Sequence, residues 1–183
     1  TRQDSLNYAD KLAGIYAQDP ENDAVLTTLT STYSALGMQN KAEEIVNSAL
    51  AKNPNSYGAL VMMGQFASQK KDYETAANYL SKALEQAKDD NARIAINASI
   101  GQCWFYKAQE RVAAVKGVLS PAARAQFNEV YNKAISYLET AKKLDTLKEQ
   151  KSSWAYPLYG CYYFVKGAQA PETLAAAADA GVQ

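Results

Sequence analysis

Slid against itself by 34 residues, the sequence lays small residues on small and large on large. Ala42 falls on Ala76, Ala49 on Ala83, Leu26 on Leu60, Leu29 on Met63 and Val46 on Leu80. Within each copy the apolar residues recur at three and four, the spacing of one helix face. A unit this short cannot bury its apolar face alone. It must stack on its neighbours and share a continuous core with them. The chain is therefore expected to be all-α, with helices near 4–17, 23–36, 39–52, 56–69, 73–87, 91–118, 121–144, 154–166 and 171–180. Glycine and proline mark the breaks at Pro20, Gly37, Pro54, Ser120-Pro121, Gly167 and Pro171.

The stretch KDYETAANYLSKALEQA (71–87) alternates alanines with Tyr73, Tyr79, Leu80 and Leu84, and NKAEEIVNSALAKNPNS (40–56) repeats the design. With the 34-residue period, these segments resemble the tetratricopeptide repeat family, in which each unit is a helical hairpin. The resemblance implies a right-handed α-α superhelix of three to four such hairpins within one domain spanning 1–183. Residues 1–20 read as a partial unit, 23–56 and 57–90 as repeats, 91–145 as an elongated repeat, and 150–183 as a degenerate repeat or cap. Thr30 stands where the family prefers glycine, and Ala67 where it prefers a large aromatic. In the last unit Tyr159-Gly160 and Tyr163 are matched to the family positions. Gly64 and Ala76 are expected to face each other across a hairpin, where small side chains let the backbones approach.

The third unit is longer than its neighbours. Gly101 to Ala134 spans 33 residues where Gly64 to Ala76 spans 12. Ser120 is a good N-cap and Pro121 a good first helical residue. The extra residues are thus expected to lengthen both helices by about ten residues, or roughly 15 Å, and not to form a loop. The long hairpin either packs on the terminal helices or projects as an arm toward a partner.

Composition narrows the chemistry. Lys+Arg and Asp+Glu are both 19, with a mild offset between residues 1–90 (8 basic, 12 acidic) and 91–183 (11 basic, 7 acidic). No nucleic-acid footprint follows from that balance. Histidine is absent, which removes the commonest general base and metal ligand. Cys103 and Cys161 are far apart in sequence and read as buried free thiols, with no metal site or cofactor expected. No phosphate-binding glycine loop, metalloprotease motif or nucleophile–histidine pair is present, so an enzyme is not expected. Carboxylate pairs such as Glu43-Glu44 and Asp89-Asp90 read as solvated helix faces. The Asn97-Ala98-Ser99 sequon lies inside a predicted helix and reads as chance. No apolar run is long enough for a membrane span. The chain is expected to be soluble, and its start at Thr1 leaves room for a removed export signal.

The family resemblance places binding on the concave face, lined by first helices. It implies Thr27, Ser31 and Ser34 from the first unit, then Val61, Gln65, Ser68 and Gln69 from the second. Gln102, Phe105 and Tyr106 follow from the third, and Trp154, Cys161 and Phe164 from the fourth. None of the positions in the first three units is basic, so the carboxylate clamp of some family members is not expected. The implied partner is a protein or peptide, with the chain as adaptor, scaffold or assembly factor. The aromatic run WAYPLYGCYYF (154–164) is read as a helix buried beside the long hairpin. Alternatively, a homodimer interface forms on this aromatic helix, with Trp154 and Tyr162, or on the elongated hairpin, or the aromatic end of the groove takes a small ligand. Pro157 is placed in the first turn of this helix.

Overall fold

The computed structural model describes residues 1–182. Among them the chain forms α1 (Arg2–Gln18), α2 (Asp23–Ala35), α3 (Gln39–Lys52), α4 (Tyr57–Gln69), α5 (Tyr73–Glu85), α6 (Asp90–Ala113), α7 (Pro121–Leu144), α8 (Lys151–Lys166) and α9 (Pro171–Ala180). Short polar residues start six of these helices. Thr1, Asn22, Ser56, Asp72, Asp89 and Ser120 each accept a hydrogen bond from a backbone N–H three residues on. Each such cap is worth about 1 kcal/mol.

Consecutive helices pack as antiparallel hairpins, α2 with α3, α4 with α5, α6 with α7 and α8 with α9, and α1 lies against α2. The result is a TPR-like superhelical array. Its core has three parts: one over α1–α4, one between α4, α5 and α6, and one joining α6 to α9. The small residues sit where the hairpins cross. A Cβ on Gly64 would lie 2.7 Å from Leu80 Cγ and 3.4 Å from the Ala76 carbonyl oxygen. A Cβ on Gly101 would lie 2.5 Å from Leu138 Cγ and 3.2 Å from the Ala134 carbonyl oxygen. Both hairpins therefore close on a glycine–alanine contact, and the flanking leucine fills the remaining space. In the first hairpin, Thr30 takes the glycine's place and is fully buried.

The third hairpin is elongated as a continuous helix pair. Its helices α6 and α7 have 24 residues each, against 13 each for α4 and α5. The difference extends the hairpin by roughly 16 Å. It packs on both neighbours. On the α5 side Glu110 pairs with Lys71 at 2.9 Å, and Lys107 pairs with Glu74. On the α8 side the Arg124 guanidinium donates to the Phe164 carbonyl at 2.9 Å, and Tyr131 stacks on Phe164 with ring centroids 4.5 Å apart. Only the tip stands clear, with Val118 almost fully exposed.

Two helix boundaries differ from expectation by more than two residues. Helix α6 ends at Ala113 and not near 118, and in the connection that follows Gly117 takes a positive φ of 92°. Helix α8 begins at Lys151, one turn earlier than expected, which places Pro157 in its interior. Proline has no N–H, so the Ser153 carbonyl four residues back loses its helical partner. That carbonyl instead accepts the Gln102 side-chain amide at 2.6 Å. The interior proline is thus tied to a cross-link between α6 and α8.

Candidate functional site: the inner face of the first helices

The first helices α2, α4, α6 and α8 lie in series, with α2 against α4 and α6 against α8. Their buried positions fix a common register. In α4 these are Leu60, Gly64 and Ala67, and in α6 Asn97 and Gly101 with half-buried Trp104. In α8 the same four-then-three spacing is met by Trp154, Leu158 and Cys161, all with no exposed surface. The equivalent of Gly64 is therefore Leu158, and the expected match of Tyr159-Gly160 and Tyr163 to the family positions is two residues out of step. Gly160 has another role. A Cβ there would sit 2.6 Å from Phe105 Cε2, so its lack of a side chain lets α8 close over that ring.

Carrying this register outward gives the residues of the open inner face. Gln65 and Gln69 on α4 correspond to Gln102 and Tyr106 on α6, and these to Tyr159 and Tyr163 on α8. One turn earlier, Ser99 corresponds to Tyr156. Tyr106, Tyr156 and Tyr163 are among the exposed large side chains of the chain. Between α4 and α6 lies a cleft of about 260 Å3, lined by Gln65, Ser68, Gln69, Ser99, Gln102 and Tyr106 together with apolar Val61 and Leu80. Cys103 forms part of its floor, its thiol pushed up to about 11 by burial and only partly relieved by Ser68. Farther along, Thr27 and Ser31 line a shallow depression with Tyr8 of α1.

The expected site residues thus divide. Gln65, Gln69, Gln102 and Tyr106 come together on the cleft, with one N–H of Gln102 committed to Ser153. Phe105 does not line the groove; it is buried beneath α8 at Gly160 and packs against Tyr131. Trp154 is also core, donating its indole N–H to the buried Asp145 carboxylate at 2.9 Å, and Cys161 lies beside it in the same cluster. Neither can anchor a dimer without unfolding the hairpin. Tyr162 is half-buried and donates to Glu139 of α7 at 3.0 Å; burial and that carboxylate push its hydroxyl up to about 12. Phe164 is half-buried against Tyr131, and it too faces the long hairpin. Both thiols are free and buried. Asn97 of the sequon is buried, its amide donating to the Arg93 carbonyl.

The residues missed were Tyr156, Tyr159 and Tyr163. They form a stripe on the inner face of α8, with ring centroids 6.4 Å apart for the first pair and 5.9 Å for the second. The signal that would have found them is the spacing of Trp154, Leu158 and Cys161, which defines the opposite, buried side. With these tyrosines in place the inner face has a consistent character. From Thr27 and Ser31 through the glutamines to the tyrosines, none of its side chains is charged, although the chain carries 19 basic and 19 acidic residues.

Comparison with known proteins agrees with the architecture. The family model described as Tetratricopeptide repeat matches residues 37–100, about a third of the chain. No curated protein matches the sequence. Among solved structures, a monomeric mutant of IFIT1 with Gppp-AAAA is similar, with a TM-score of 0.71 and 18% identity. The match covers 92% of this chain and 34% of that one, so this chain spans about a third of that protein's length. No helix among the described residues is long and apolar enough to cross a membrane.

Proposed function

From its repeats and fold the chain is a TPR-like helical repeat protein, and we propose that it binds a protein or peptide segment along the inner face of α2, α4, α6 and α8. Proteins with such repeats are protein-interaction modules as a class. The observation that carries the reading here is the absence of charge along that face in a chain rich in charge elsewhere. The side-chain amides and hydroxyls of the cleft, set among Val61, Leu80 and Cys103, offer both donors and acceptors to a peptide backbone. The cleft offers no counter-charge to a terminal carboxylate or an ionised side chain, which would lose hydration on docking. The partner segment is therefore uncharged, and the chain acts as a non-catalytic adaptor or scaffold.

A titration series tests this. Short blocked peptides of equal length, uncharged, acidic or basic, are measured against the whole chain by isothermal titration calorimetry. Uncharged peptides should bind tightest. Their affinity should stay flat as the screening length falls from about 10 Å at 0.1 M salt to about 3 Å at 1 M. A preference for charged peptides, with affinity falling as salt rises, would refute the reading.

A further inference from the structure

We propose that the tyrosine end of this face takes a proline-rich segment in the polyproline II conformation. The inference rests on the inner face being the binding surface and names the class of partner it fits. Three recurring ways of holding a peptide can be weighed against the geometry. Strand addition needs an open sheet edge, and the described residues contain no strand. Docking an amphipathic helix needs a continuous apolar groove, whereas three glutamines and two serines interrupt Val61 and Leu80 in the cleft between α4 and α6. The third mode uses spaced aromatic rings with few charges, and α8 supplies them.

The dimensions agree. Tyr156, Tyr159 and Tyr163 are inclined to one another by 53° and 61°, so neighbouring rings enclose notches and do not form a flat plate. Tyr106 stands on the adjacent first helix, and packed helices lie about 8–10 Å apart. A polyproline II helix repeats every three residues at about 3.1 Å each, so one turn spans roughly 9 Å. A proline seated at α8 is therefore followed, one turn later, by a residue at Tyr106. Polyproline II also makes no internal hydrogen bonds, and its carbonyls need outside donors. The tyrosine hydroxyls, Gln69 and the uncommitted N–H of Gln102 are such donors. Proline lacks an N–H, so it asks for no acceptor in return. Because the ligand is already extended and stiff, little conformational entropy is lost on docking.

The test uses the whole chain and two blocked, uncharged peptides of equal length, an oligoproline and a proline-free peptide of threonine, asparagine and valine. Each is titrated calorimetrically against the native chain and against Tyr156→Ala, Tyr163→Ala and Tyr163→Phe. Tyr156 and Tyr163 are more than half exposed, so the alanine variants should keep the native circular dichroism and melting temperature. The expected result is saturable binding of the oligoproline. Each alanine variant should weaken it by about tenfold or more, while Tyr163→Phe, which keeps the ring, stays within a few-fold of native. Binding of the proline-free peptide alone would overturn the proposal and leave the groove reading standing. Oligoproline affinity unchanged in the alanine variants would place its site elsewhere and overturn the proposal. Binding of neither peptide would overturn both readings.

Discussion

The contact between Gln102 and Ser153 lends itself to a double-mutant cycle. The Gln102 amide donates at 2.6 Å to a partly buried carbonyl that Pro157 has left without its helical N–H. Truncating one partner of such a bond costs about 1–1.5 kcal/mol, with the upper end applying where water cannot replace the donor. Gln102→Ala should therefore destabilise the chain by about that amount, lowering its melting temperature by about 2–5 °C at this chain length. Pro157→Ala restores an N–H that can bond Ser153 from within α8. In that background the loss on Gln102→Ala should shrink, giving a coupling energy of about 1 kcal/mol between positions 102 and 157. The assay is urea denaturation followed by circular dichroism on the native chain, both single variants and the double. Equal losses in the two backgrounds would show that the proline and the cross-link are energetically independent, refuting the account.

Other substitutions probe the packing. Gly101→Ala places a methyl 2.5 Å from Leu138 Cγ, so overpacking of about 1–3 kcal/mol should outweigh a helix-propensity gain of about 1 kcal/mol. Gly14→Ala, with nothing within 4 Å of the new Cβ, should stabilise by about 0.5–1 kcal/mol on the same denaturation curves. Thr30 is fully buried with its hydroxyl unpartnered, so Thr30→Val should raise stability by about 1 kcal/mol, read from the urea midpoint. Trp154→Phe removes the indole donor from buried Asp145 and should cost about 2–4 kcal/mol through the lost contact and the poorer fill. Burial raises Tyr131 to about 12 and Cys103 to about 11 from ordinary values of 10.0 and 9.0. Because the unfolded chain loses these protons first, stability is fully present below pH 9 and falls progressively as pH rises toward 12. Melting temperatures across that range should show the decline, and Tyr131→Phe should blunt it above pH 10.

Most of the helical framework could be read in the sequence because local chemistry and packing agree there. Asp72, Ser120 and Pro121 mark helix starts by what their side chains do, and the Gly64–Ala76 approach follows from side-chain size alone. The misreadings have a common physical origin in tertiary contacts that cross between hairpins. Gly160 imitates the glycine of a hairpin crossing but serves the approach of α8 to Phe105, which shifted the register of the last unit by two. That shift in turn placed Trp154 and Cys161 in the groove and hid Tyr156, Tyr159 and Tyr163. Phe105 has a groove position by spacing, yet α8 covers it. Ala67 lacks the expected aromatic because the preceding residue, Phe66, fills the neighbouring hairpin's core instead. Pro157 suits a first turn by propensity, whereas the helix begins earlier and the orphaned carbonyl finds Gln102.

The central claim is that the uncharged inner face of the first helices is where this chain meets its partner. The most direct measurement is a nuclear magnetic resonance shift map of the isotope-labelled chain, titrated with the tightest uncharged peptide of the series. The account predicts shifts concentrated at Gln65, Gln69, Gln102, Tyr106, Tyr159 and Tyr163, with α5, α7 and α9 largely unmoved. Shifts centred on those second helices, with the inner face unchanged, would contradict it.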